Sequence, residues 1–172
     1  TEHGIRQSLD LTRVMFSRGN VTEKIRFGKL VQEGDVVLDM YAGIGYYTLP
    51  ALIHGRAARV YCCEWNPDAI AALNYNLSDN GVEDRAIVLE GDSRITTAQA
   101  RIIDCVDRVS LGLLPSCEGG WKTAVQALRM DTGGVLHIHG NVSTVEKKIW
   151  SLWISHRLAE IARNDLGYDD WV

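Results

Sequence analysis

DMYAGIG, residues 39–45, sets an acid ahead of two glycines. Gly43 and Gly45 let a backbone turn tightly and come close to a ligand. A helix starting just beyond them would offer free N–H groups. Glu64 stands 19 residues after Gly45. At the end of a strand its carboxylate can accept both hydroxyls of a ribose. A third acid, Asp92, precedes Ser93 and is placed to accept from an adenine amino group.

Two glycines and two such acids indicate a nucleoside. A dinucleotide site would want a third glycine where Thr48 stands. Asp39 at the mouth of the loop would repel a pyrophosphate and attract a cationic sulfonium or ammonium. The combination predicts an S-adenosylmethionine pocket contacted by Asp39, Gly43, Gly45, Glu64, Asp92 and Ser93. The competing reading is that these acids only cap helices.

FSRGNVTEK, residues 16–24, raises a second question. Asn20 reads as a helix N-cap, with Glu23 completing a capping box. Lys24 then places a cation in the first turn, which the helix dipole disfavours by ~0.3–1 kcal/mol. Either Lys24 is solvated, or an anion is held near this helix start.

The elements that would position these residues alternate. Apolar strands are predicted at 36–40, 59–64, 86–90, 106–111 and 133–140. Helices are predicted at 21–32, after the glycines to about 55, at 66–81, to about 130, and from a Ser143–Glu146 capping box onward. Five apolar strands separated by helices imply an α/β fold, a mainly parallel sheet covered on both faces. Its ligands belong at the carboxyl ends of the strands. Residues 1–32 are expected to lead into a catalytic domain spanning 33–172.

The 172 residues, 46% hydrophobic and 23% charged, fit one globular domain. A net charge of −4 gives no polybasic signature. Residues 1–32 nevertheless carry six Lys or Arg against three Asp or Glu. No apolar run is long enough to span a membrane. Cys62, Cys63, Cys105 and Cys117 lack metal spacing, and the first two would face opposite sides of a strand. They read as reduced thiols of a cytoplasmic protein, and no metal is expected.

FSRGNVTEK, VVLDMYAGIGYYT, VYCCEWNP, EGDS, SLGLLPSCEGGW and LHIHGNV together resemble the tRNA wybutosine-synthesizing protein 2 family, across about residues 14–142. FSRGN and LLPSCE carry the specificity, because the remaining motifs fit any class I S-adenosylmethionine enzyme. The resemblance implies a Rossmann-like fold of that class. It also implies transfer of the 3-amino-3-carboxypropyl group to the tricyclic wybutosine precursor base beside the tRNA anticodon, leaving methylthioadenosine. The related tRNA guanine-N1 methyltransferases are the alternative. Gly19 falls where they carry an arginine, and Leu113 where they carry an asparagine. A non-catalytic scaffold of the same fold is a third reading.

Aminocarboxypropyl transfer is mostly a matter of orientation, worth several kcal/mol and up to ~7–11. The arm must swing toward the RNA, and its carboxylate needs an anchor. Ser17 and Lys24 are the positioning residues expected to supply it. Pro115 and Ser116 are expected to form a base-binding lip. Arg18 is a second anchor or a phosphate contact. Asn20, Tyr46, His139 and Asn141 are further RNA-side candidates, and no obligate general base is required. His137 and His139 read as neutral histidines, Cys117 as a small spacer, and Trp150 and Trp153 as core. The family carries a recognition region ahead of this segment and two strands beyond it. The chain is therefore expected to be a truncated catalytic piece that binds the cofactor but holds tRNA poorly.

Overall fold

Alternation along β1 (Val36–Asp39) organises the fold: Val37 and Leu38 are both fully buried, but on opposite faces of the sheet. β2 (Arg59–Glu64) repeats the pattern, with Val60 and Cys62 toward one layer and Tyr61 and Cys63 toward the other. The adjacent thiols thus point apart, as strand geometry requires. The computed structural model describes residues 1–17, 19–169 and 171. Its sheet is all parallel, in the order β3-β2-β1-β4-β5, with β3 at Ala86–Glu90, β4 at Arg108–Leu111 and β5 at Val135–Ile138. The two edge strands are only partly buried.

Helices cover both faces. α1 (Val21–Leu30), α2 (Thr48–Ile53) and α3 (Pro67–Asp79) enclose the layer around Phe27, Val37, Leu52, Val60 and Leu73. α4 (Ser93–Gln99), α5 (Trp121–Ala127) and α6 (Lys147–Glu160) lie on the other side, where Leu38, Val109, Leu111, Trp121 and Leu158 form the core. α6 continues as a π-helical turn, Ile161–Asp165. α1 and α2 approach closely at Gly28, where an added Cβ would lie 3.0 Å from the Pro50 carbonyl oxygen.

Neither predicted capping box forms. Asn20 precedes α1 but makes no side-chain cap bond. Glu23 instead accepts two hydrogen bonds from Arg26, at 2.7 and 2.6 Å, which draws its carboxylate along the helix. The Ser143 hydroxyl bonds the Glu146 carboxylate, and α6 begins only at Lys147. Capping does occur at Asn66, which accepts from Asp68 N–H at 3.0 Å ahead of Pro67. Of the two tryptophans predicted as core, Trp150 packs on the core. Trp153 is 42% exposed and meets Trp121 edge-on, with ring centroids 5.6 Å apart.

Candidate functional site

Between β1 and β4 the chain order reverses, and crevices open at such switch points. A cleft of about 480 Å³ lies there, over the carboxyl ends of β1 to β4. Four turns build it: Met40–Tyr47, Cys63–Trp65, Gly91–Arg94 and Gly112–Gly119. Met15, Ser17, Asn20 and Lys24 close one side.

The glycine turn has the predicted shape. Gly43 and Gly45 take φ of +56° and +100°, which side chains resist. Gly43 N–H donates to Glu64 Oε2 at 2.8 Å, while Trp65 and Asn66 N–H donate to Oε1 at 3.0 and 2.9 Å. Three backbone donors fix the Glu64 carboxylate on the cleft wall, leaving lone pairs for hydroxyl donors. Gly45 lies behind the wall, packed on Leu49 and Leu73.

Asp39 is not at the mouth of the loop. It is 1% exposed beneath the turn and does not line the cleft. Its Oδ2 accepts from the Thr48 hydroxyl at 2.8 Å, which gives the residue in the third-glycine position a structural role. Its Oδ1 has no partner among the described residues. Burial raises its carboxyl to about 6, offset in part by Thr48, the Tyr41 backbone N–H and the Ser110 hydroxyl, which lie close enough to favour the carboxylate.

Asp92 and Ser93 line the cleft, but Asp92 is not a free acceptor. Its carboxylate caps α4 through Arg94 N–H at 2.9 Å and grips the Arg94 guanidinium at 2.5 Å. Those bonds hold it down at about 2. Sequence reasoning passed over Arg94 and Trp65, both of which line the cleft. Trp65 is 77% exposed. Its place directly after the strand-end acid was the signal available.

Lys24 settles its own question. It is 3% exposed, so the solvated reading fails. Its Nζ donates to Glu2 Oε2 at 2.9 Å and to the Ser17 carbonyl at 3.1 Å. It also lies 5.1 Å from the Tyr46 ring centroid and 5.6 Å from that of Phe16. The anion at the helix start is thus one of the chain's own carboxylates. Ser17, Asn20, Lys24 and Tyr46 all line the cleft. Tyr46 is also a latch: its hydroxyl donates to Met15 O at 2.6 Å and accepts from Ser17 N–H at 3.1 Å. Arg18 lies outside the described residues.

The opposite lip is lined by Leu113, Leu114 and Ser116, whereas Pro115 is exposed and outside the lining. His139 and Asn141 do not line the cleft. His139 stacks behind Tyr47, with ring centroids 4.9 Å apart, and Asn141 faces solvent. β5 ends at Ile138, too early to carry them over the crevice. Cys117 is buried, accepting from Trp121 Nε1 at 3.4 Å, and burial raises its thiol above the ordinary range. His137 packs edge-on against Phe27, 4.8 Å between centroids, and burial lowers it to about 4. Among the described residues, no group of His, Cys, Asp or Glu is arranged to hold a metal ion. No helix among the described residues is long and apolar enough to cross a membrane.

The model of the TRM5/TYW2 methyltransferase domain matches residues 1–168. The chain belongs to this TRM5/TYW2 family. Within it, the tRNA wybutosine-synthesizing protein 2/3/4 of Arabidopsis thaliana is 50% identical over 94% of this chain and 16% of its own length. The human tRNA wybutosine-synthesizing protein 2 homolog is 51% identical over 86% of the chain and 32% of its own length. The chain therefore spans a third or less of these two relatives. Among solved structures, M. jannaschii TYW2 in complex with AdoMet superposes with a TM-score of 0.82 at 30% identity, covering 95% of this chain and 70% of that one. P. horikoshii TYW2 in complex with MeSAdo gives 0.81 at 28% identity, covering 95% and 58%. The fold is thus the parallel α/β sheet that the strand pattern predicts and the Rossmann-like one that the resemblance implies, with the expected relationship to the wybutosine enzymes.

Proposed function

We propose that this chain is the catalytic domain of an S-adenosylmethionine-dependent tRNA aminocarboxypropyltransferase of wybutosine synthesis. Its acceptor is the tricyclic precursor base beside the anticodon, and its by-product is methylthioadenosine. One observation carries the reading: a buried ammonium, Lys24, shares a cleft with the backbone-held carboxylate Glu64. A ribose and a carboxylate-bearing arm on one ligand match those two groups.

The residues present fit that ligand. Gly43 makes room at the cleft wall, since a Cβ there would lie 3.1 Å from the Tyr46 ring. Asp39 keeps a buried carboxylate below the turn with no cationic partner among the described residues, favouring positive charge above it. When bound, S-adenosylmethionine supplies a sulfonium whose γ-carbon–sulfur bond yields to a nucleophile, the electron pair remaining on sulfur. Glu64 holds the ribose hydroxyls, and the Ser93 side of the cleft holds the base. Ser17 and Lys24 hold the arm's carboxylate, turning the γ-carbon outward. Ser116, Leu113 and Leu114 form the lip that receives the RNA base. Residues 33–172 carry the catalytic sheet, and residues 1–32 bring the arm's anchor. Four free thiols, three of them buried, suit a cytoplasmic enzyme.

Mass spectrometry of precursor tRNA incubated with the protein and S-adenosylmethionine tests the proposal. An aminocarboxypropyl adduct with methylthioadenosine is expected. A methylated guanine with S-adenosylhomocysteine would instead assign N1 methylation. Calorimetry showing no binding of S-adenosylmethionine or methylthioadenosine would leave a scaffold.

A further inference from the structure

Glu2 lies 22 residues before Lys24, yet its carboxylate is 2.9 Å from the Lys24 ammonium. It is not a loose tail. Glu2 and Ile5 exchange N–H···O bonds of 2.9 Å in both directions, and Ile5 is buried in the layer that holds Phe27. An ammonium has three N–H donors. Glu2 takes one, the Ser17 carbonyl takes another, and the third has no hydrogen-bond acceptor among the described residues.

The direction of approach matters. Lys24 separates two hollows. One is the cleft. The other is a small recess lined by Glu2, His3, Ile5, Pro50 and His54. Glu2 lines the recess and not the cleft, so it meets the ammonium from behind and leaves the cleft side open. A nearly buried ammonium without a counter-charge is strongly disfavoured. Glu2 supplies that counter-charge without occupying the ligand's side.

We propose that Glu2 is a positioning residue for the aminocarboxypropyl arm. With the Ser17 carbonyl it holds the Lys24 ammonium against the cleft wall, so that the remaining N–H is offered to the arm's carboxylate. The proposal rests on the reading of Lys24 as the anchor. It makes the choice of transferred group depend on a residue outside the cleft.

Two ligands separate this role from general support of the fold. S-adenosylhomocysteine carries the carboxylate; methylthioadenosine lacks the arm. Calorimetry on the intact chain compares the parent with Glu2→Gln, Glu2→Asp and Lys24→Met. Glu2→Gln is expected to weaken S-adenosylhomocysteine about tenfold and methylthioadenosine by less than about twofold, a selectivity loss of at least about fivefold, or roughly 1 kcal/mol or more. Glu2→Asp keeps the charge one methylene short. A smaller loss of the same selectivity is expected from it, and it serves as the readout if Glu2→Gln does not fold. In turnover, the ratio of methylthioadenosine to S-adenosylhomocysteine should fall in step. Equal losses for both ligands would overturn the proposal. So would an unchanged Glu2→Gln beside a Lys24→Met that loses only S-adenosylhomocysteine, which would leave the anchor standing. If Lys24→Met also shows no selectivity, the anchor reading falls and takes the Glu2 role with it.

Discussion

Asp39 and Ser110 are register partners on β1 and β4, and each leaves one buried oxygen without a hydrogen-bond partner among the described residues. A buried polar group left fully unsatisfied costs roughly 1–3 kcal/mol, and these two offset part of that only through a weak mutual approach. They sit at the switch point, directly beneath the glycine turn. The fold therefore carries a local deficit beneath the cleft proposed to take the ligand.

Burial raises Asp39 from 3.8 to about 6, so the folded chain holds this proton more tightly than the unfolded chain. Its contribution to stability is fully present below about pH 4 and is lost as pH rises through about 6. At ~1.4 kcal/mol per unit the loss is about 3 kcal/mol. Asp39→Asn should match the parent in urea unfolding at pH 4 and exceed it by about 2–3 kcal/mol at pH 7. It should also bind S-adenosylmethionine at least about tenfold more weakly. An Asn variant no more stable at pH 7 would refute the deficit.

His137 gives the opposite slope. Burial, then Arg108, lowers it from 6.5 to about 4, so the folded chain favours the neutral ring. Its contribution is present above about pH 6.5 and is lost as pH falls through about 4, again about 3 kcal/mol. Between pH 4 and 6.5 the two residues oppose each other. His137→Gln should leave stability falling with rising pH across that window, and Asp39→Asn should leave it rising. Urea midpoints at half-unit steps would show both.

Glu64→Gln tests both the three-donor grip on this carboxylate and its proposed role at the ribose. An amide presents one NH₂ where the acid had an oxygen, setting donor against donor at Gly43 or at Trp65 and Asn66. A loss of about 1–3 kcal/mol in stability is expected. Calorimetric affinity for methylthioadenosine, which keeps the ribose, should fall about tenfold or more. Unchanged affinity would remove Glu64 from the ribose.

Tyr46→Phe removes the latch and keeps the ring. The Ser17 amide loses its acceptor and the Met15 carbonyl its donor. A stability loss of about 1 kcal/mol is expected. Hydrogen exchange at the Ser17 amide should quicken while that at β1 amides stays constant. Simultaneous quickening at both would mean that the phenol supports the sheet instead.

The sheet, its order of layers and the strand-end acids were legible because period-two burial and glycine turns are local signals. Glu64 and Gly43 landed where their spacing put them. Asp39 did not, because a residue one step inside a strand end is covered by the turn that follows, and no spacing reports that. Asp92 looked like a free acceptor because Arg94, two residues on, is ordinary on an exposed helix. Neither Asn20–Glu23 nor Ser143–Glu146 formed its capping box: Glu23 is drawn to Arg26, and Ser143 and Glu146 bond each other ahead of a helix that starts only at Lys147. The Glu2–Lys24 pair was invisible, since nothing local links residues 22 apart.

Lys24 and Gly28 sit one turn apart on the buried stripe of α1, and at Gly28 the helix rests almost on the backbone of α2. Any larger residue at 28 would lift α1 like a lever and carry the ammonium with it. On the proposed anchoring role of Lys24, the carbon presented to the acceptor would thus be adjustable from the rear of the molecule, through the gap between two helices.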